Sequence, residues 1–143
     1  MKIGRTYDAL NVGDSESFTR TVTETDIQLF AGMTGDFNPI HTDIEYAKTS
    51  RFGQRVAHGP IALSLVAYLV GMRLPGPGTI LLRQDARYLA PVFIGDTITV
   101  TLTVVEKAPK GRVVMDASYV NQRGETVIES QVEGLPPRAP VAA

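Results

Sequence analysis

The spacing of apolar positions changes part-way along this 143-residue chain, and the change divides it in two. Beyond residue 79 apolar and polar residues alternate, most cleanly where Ile98, Val100, Leu102 and Val104 are interleaved with Thr97, Thr99, Thr101 and Thr103. A period of two is what a half-buried antiparallel strand requires. The pattern predicts strands over residues 79–89, 96–107, 112–121 and 125–133, broken at Ala90-Pro91, Pro109-Lys110-Gly111 and Gln122-Arg123-Gly124. An earlier strand is expected over 15–23. Thr23-Glu24-Thr25-Asp26 then resembles a capping box, opening a helix whose apolar members are Ile27, Leu29, Phe30 and Met33.

Residues 60–73 follow neither rule. Ile61, Ala62, Leu63, Leu65, Val66, Ala67, Tyr68, Leu69 and Val70 leave almost no polar face. A helix apolar all round must be enclosed on all sides. Pro60 marks its start, and Leu74-Pro75-Gly76-Pro77-Gly78 ends it. One such helix followed by long antiparallel strands predicts an α+β fold, a curved antiparallel β-sheet wrapped around a central apolar helix. A single curved sheet leaves edges to cover, so a homodimer formed through the sheet is expected, with a higher oligomer left open. One domain is expected over residues 1–135, and the proline- and alanine-rich stretch 136–143 is expected to be a flexible tail.

Composition narrows the chemistry. The net charge is −1, the pI is near 6.1, and the 14 basic residues form no run, which argues against nucleic acid or a membrane surface as partner. There is no cysteine, so disulfides, thiol catalysis and thiolate metal sites are excluded. Two histidines supply few ligands, and no metal is expected. The start of the chain lacks the apolar segment of a secretory signal, and residues 61–72 are fewer than the roughly 20 needed to span a bilayer. A cytoplasmic location is the expectation.

The candidate chemistry lies in Gly35-Asp36-Phe37-Asn38-Pro39-Ile40-His41. Helical neighbours sit three or four residues apart, so an aspartate and a histidine five apart do not share one face of a continuous helix. Pro39 is suited to a first helical turn. The segment therefore reads as a loop carrying Asp36, then Asn38 as N-cap, Pro39 at the first helical position and His41 just inside. Asp36 can then lean across the helix start toward His41, giving an acid–base pair without a metal. Gly-Asp-x-Asn-Pro is also good turn chemistry in its own right. Histidine, however, suits proton transfer near neutrality, and both histidines, His41 and His58, adjoin glycine- and proline-rich breaks before helices.

Residues 30–43, Phe-Ala-Gly-Met-Thr-Gly-Asp-Phe-Asn-Pro-Ile-His-Thr-Asp, followed by Ala47, resemble the signature of the MaoC-like, (R)-specific enoyl-CoA hydratases. The similarity continues through Val56-Ala57-His58-Gly59, Ser64, Leu74-Pro75-Gly76 and residues 88–96, covering most of 5–133. The resemblance implies a hot-dog fold, a homodimeric unit and the reversible hydration of trans-2-enoyl-CoA to (R)-3-hydroxyacyl-CoA. It implies no cofactor, coenzyme A entering only as part of the substrate. Asp36 and His41 match the family's catalytic pair, Asn38 a supporting residue, and Gly59 and Ser64 positions lining the active site. Where the family often has methionine after His-Gly, this chain has Pro60, which lacks an N–H. Any backbone donor there must come from Gly59 or from beyond Pro60.

The reaction explains the residue types. Water must attack C3, a proton must reach C2, and charge builds on the thioester oxygen. Asp36 and His41 can hold and polarise the water, and N–H groups at the start of the Pro60 helix can face the oxygen. Ser64 can alternatively bond a carbonyl of its own helix, as helical serines do. His58 is expected to make a structural hydrogen bond near that helix start. None of Arg51, Arg55, Arg73, Arg83 and Arg87 is assigned to the coenzyme A phosphates. Two other activities share these residues: dehydration of a 3-hydroxyacyl group on acyl carrier protein, and hydration of a branched or dicarboxylic enoyl-CoA of itaconyl or mesaconyl type. A non-catalytic acyl-thioester binding subunit is the reading from another class.

Overall fold

A computed structural model describes residues 3–138. Five antiparallel strands form one sheet in the order β1-β3-β4-β5-β2: β1 Ser15–Thr21, β2 Ile80–Tyr88, β3 Thr97–Ala108, β4 Arg112–Val120 and β5 Thr126–Leu135. Helices α1 Glu24–Thr34, α2 Pro39–Thr42, α3 Ile44–Lys48, α4 Gly59–Ser64 and α5 Val66–Met72 all lie between β1 and β2 in the chain. No helix among the described residues is long and apolar enough to cross a membrane. The tail expected over 136–143 lies mostly outside the described residues.

The alternation of β3 does what its period predicts. Ile98, Val100, Leu102 and Val104 are fully buried. The intervening threonines face outward, where Thr97, Thr99, Thr101 and Thr103 pair hydroxyl to hydroxyl with Thr21, Thr19, Ser17 and Ser15 at 2.8–3.0 Å. A one-residue slip would bury those hydroxyls and expose the aliphatic row, so the register is strongly held. On the inner face Ile61, Ala62, Leu65, Val66, Leu69 and Val70 pack against Val100, Leu102, Met115, Ala117, Tyr119, Ile128 and Val132. Tyr119 ties the two layers, donating its hydroxyl to the Leu63 carbonyl at 3.1 Å. Its burial pushes the phenol pKa up to about 12, so it remains a donor.

Two expectations are corrected. The apolar helix is not continuous but breaks at Leu65 into α4 and α5. Ser64 Oγ donates to the Ile61 carbonyl at 2.7 Å, the acceptor that Leu65 N–H would use in a regular helix. Leu65 N–H turns instead to Ala62 at 3.1 Å, tightening the turn. Nor is this helix enclosed on all sides within one chain: Tyr68 is 40% and Met72 59% exposed. The helical stretch after Asn38 is divided in a similar way at Asp43, which accepts Tyr46 N–H at 3.0 Å and so caps α3.

Candidate active site

The segment after α1 is held by its own turn chemistry. Thr23 and Asp26 form the capping box that starts α1. Gly35 ends the helix in the left-handed region at φ 79°, returning its N–H to Ala31 at 2.8 Å. Asp36 Oδ1 then accepts Asn38 N–H at 3.1 Å, and Asn38 Oδ1 accepts Ile40 N–H at 3.2 Å. Asn38 is thus the N-cap of α2, with Pro39 at the first helical position and His41 within the helix.

His41 Nδ1 lies 2.8 Å from the Val56 carbonyl. A carbonyl only accepts, so Nδ1 carries the ring proton and, in the neutral ring, Nε2 is the bare nitrogen. Val56 itself is immobilised: its N–H donates to Ile40 at 3.2 Å, and its neighbour Ala57 donates to Val92 at 2.8 Å. Arg55 straps the same corner, reaching both Glu24 oxygens and the His41 carbonyl. The hydrogen bond from Arg55 holds the Glu24 carboxyl below its ordinary range.

Asp36 and His41 converge, and His58 joins them. A carboxylate oxygen of Asp36 and one ring nitrogen of each histidine all lie within 4.8 Å of one another. The separation of Asp36 and His41 suits a single bridging water. It is a poor metal site, because His58 Nε2 lies 2.9 Å from the Asp36 carbonyl and must carry a proton there. His58 thus makes the structural hydrogen bond expected of it at the start of α4, to the Asp36 carbonyl rather than to the helix itself: it occupies the N-cap but makes no side-chain cap.

Val56, Ala57 and Gly59, which flank His58 in the chain, line a cavity of about 670 Å³ together with Phe52, Tyr88, Leu89, Val92 and Ile128, with Arg51 its one charged side chain among the described residues; Asp36, Asn38, His41 and His58 are not among its lining residues. Of the N–H groups that open α4, Ile61 donates to His58 at 3.0 Å and Pro60 has none. Gly59 N–H finds no acceptor among the described residues. Gly59 also lies flat against the Tyr88 ring, where an added Cβ would stand 2.6 Å from Cε1. Burial raises the Tyr88 phenol pKa, keeping its hydroxyl protonated. Ser64 does not line the cavity. The remaining arginines of interest are engaged elsewhere: Arg73 with Glu16, Arg83 with Asp85, and Arg87 on a polar depression of the outer sheet face.

The MaoC like domain profile matches residues 11–124, most of the described fold. The chain belongs to the MaoC-like family. An (R)-specific enoyl-CoA hydratase of Rhodospirillum rubrum is 38% identical over 131 residues, covering 92% of this chain and 91% of that protein. A 3-hydroxybutyryl-CoA dehydratase of Methylorubrum extorquens is 35% identical over 125 residues, covering 87% of this chain and 80% of the relative. The unliganded structure of R-hydratase PhaJ1 from Pseudomonas aeruginosa superposes with a TM-score of 0.89 at 40% identity, covering 98% of this chain and 93% of that one. The fold of this MaoC-like protein is accordingly the hot-dog arrangement expected from its sequence, with five strands in an open sheet. Sequence reasoning missed Tyr88 against Gly59 and the contact of His58 with Asp36. Both join residues more than 20 apart, beyond any local spacing rule.

Proposed function

We propose that this MaoC-like protein is an (R)-specific enoyl-CoA hydratase, a hydro-lyase that adds water reversibly to trans-2-enoyl-CoA. The observation that carries the reading is the convergence of the Asp36 carboxylate and the His41 imidazole, with His41 held by Val56, which lines an apolar cavity of acyl dimensions. In the reaction one water, held between Asp36 and His41, is the nucleophile. The bare Nε2 of His41 and the free oxygen of Asp36 draw on its protons as its oxygen attacks C3. The same pair returns a proton to C2, so atoms balance with no redox change and no cofactor beyond the substrate's own coenzyme A. General acid–base catalysis supplies roughly 10²–10⁴-fold. The Gly59 N–H faces the thioester oxygen, where one such donor contributes roughly 2.7–4 kcal/mol. Asn38 supports Asp36 through its N–H. Ser64 serves the site only if its hydroxyl leaves the Ile61 carbonyl.

The catalytic unit is the single domain over 1–135, acting in the cytoplasm as a homodimer. Strand β2 is an edge of the sheet and exposes Ile80, Leu81 and Leu82, an aliphatic edge that a second copy would cover. Sedimentation at twice the chain mass would agree. Arg51 at the cavity favours one second reading, a dicarboxylic enoyl-CoA whose distal carboxylate it would meet.

The test is a hydration assay on crotonyl-CoA with chiral analysis of the product. Asp36→Asn and His41→Ala are each expected to remain folded and lose about 10³-fold or more in kcat, while the double variant is little worse than either, because paired groups act as a unit. Near-normal turnover by His41→Ala would remove the mechanism.

A further inference from the structure

The hydration mechanism leaves His58 without a task, yet it is the most constrained side chain near the reacting groups. It is 1% exposed. Its ring packs against two others, with the His41 centroid at 3.9 Å and 31° and the Phe30 centroid at 4.9 Å and 45°. Nε2 donates to the Asp36 carbonyl at 2.9 Å and lies 3.9 Å from Asp36 Oδ2. Nδ1 is the one buried side-chain nitrogen or oxygen without a partner among the described residues. A residue there only to fill space would be better as a leucine or phenylalanine, which leave no buried nitrogen unsatisfied. A residue there to cap α4 would turn toward the helix, and His58 does not.

What the imidazole gains is simultaneous contact with both members of the acid–base pair. We propose that His58 is a positioning residue for the hydration reaction: its Nε2–H fixes the Asp36 peptide while its ring face fixes the plane of His41. It touches neither water nor substrate. Rotating the Asp36 peptide would swing the carboxylate away, and tilting His41 would carry Nε2 off the water. A misplacement of about 1 Å costs on the order of 100-fold in rate. The proposal rests on Asp36 and His41 being the reacting pair.

Three variants of the full chain test it: His58→Gln, His58→Asn and His58→Leu. The terminal amide of glutamine reaches where Nε2 sits, and that of asparagine stops near Nδ1. His58→Gln is expected to keep kcat for crotonyl-CoA within about tenfold of the parent, while His58→Asn and His58→Leu fall about 100-fold with KM moving less than about threefold. A packing role would not distinguish the two amides. Should His58→Leu fail to fold, the two amide variants decide on the same terms. In the unsubstituted protein, ¹⁵N spectra are expected to show His58 protonated at Nε2 and His41 at Nδ1. The proposal is overturned by the opposite His58 tautomer, by kcat in His58→Asn within about threefold of the parent, by a loss that falls on KM, or by His58→Gln dropping as low as His58→Asn. If His41→Ala and Asp36→Asn keep activity, the acid–base reading itself fails, which is a separate result.

Discussion

Replacing Gly59 by alanine separates the site's catalytic demands from the fold's. The backbone of Gly59 is not left-handed, so alanine brings no φ strain, unlike at Gly35 or Gly95. The obstacle is Tyr88: the new Cβ would lie 2.6 Å from Cε1 and 3.1 Å from Cδ1 and Cζ. Carbon atoms rest at about 3.5–4.0 Å, so the ring or the start of α4 must retreat by about 1 Å. Tyr88 ends β2 and is 53% exposed, which lets the ring move rather than the core. The stability loss should then sit at the low end of the roughly 1–3 kcal/mol typical of overpacking. Activity should suffer more, because the moving ring shifts within the cavity that Gly59 and Tyr88 both line. A displacement of about 1 Å there predicts a fall in kcat/KM on the order of 100-fold. Adding Tyr88→Val to Gly59→Ala removes the collision and should recover much of that loss, with a coupling of about 0.5–3 kcal/mol in a double-mutant cycle. The assay is loss of enoyl-thioester absorbance, run beside thermal unfolding. Gly59→Ala at near-parent activity, or a double variant no better than the single, would refute the reasoning.

Arg51→Ala should raise KM for acyl-CoA substrates by about 3–30-fold with kcat unchanged, since a hydrogen bond to a charged group contributes roughly 1.5–3 kcal/mol and exposure lowers that figure. If the effect appears only with dicarboxylic substrates, Arg51 meets their distal carboxylate instead. Desolvation works against the charge on Asp96, but hydrogen bonds from Arg123, Phe93 N–H and Gln122 outweigh it and hold the carboxyl below its ordinary range. The stability from this depressed pKa is fully present above the unfolded value near ~3.9 and is lost as pH falls through the folded one. Asp96→Asn should therefore cost about 1–3 kcal/mol in urea unfolding at pH ~7 and markedly less at pH ~3. An equal cost at both would contradict the assignment.

What could be read from the sequence is what local rules govern. The capping box at Thr23 and Asp26, the N-cap at Asn38 and the inward row of β3 each depend on residues a few positions apart, and the structure bears them out. The break at Leu65 was not legible, because it turns on which carbonyl the Ser64 hydroxyl takes, and both Pro60 and Ile61 are within a helical serine's reach. His58 escapes a local reading for a different reason. Its partner is a backbone carbonyl 22 residues earlier in sequence, and a main-chain atom leaves no mark in a residue pattern. The same holds for Val56, whose carbonyl orients His41 whatever side chain the residue carries.

Pro60 is where the family pattern and this chain part, and the difference bears on how many donors can meet the thioester oxygen. In α4 the Ile61 N–H is taken by the His58 carbonyl, position 60 has no N–H, and Gly59 alone is left to meet a developing oxyanion. If one donor is enough, Pro60 contributes only stiffness, and Pro60→Ala should lower stability by about 0.4–1 kcal/mol through the freer unfolded chain. Its kcat should stay within about threefold of the parent, because the added N–H opens a helix whose existing donor already faces the substrate. If two donors are needed, the same substitution supplies the missing one and kcat should rise by about tenfold or more, given that a single donor is worth roughly 2.7–4 kcal/mol when fully aligned. The two outcomes differ for activity while agreeing on stability, so parallel unfolding and turnover measurements on Pro60→Ala tell them apart. A tenfold rise would mean that the Gly59 N–H, acting alone in the parent protein, is not enough for the thioester oxygen.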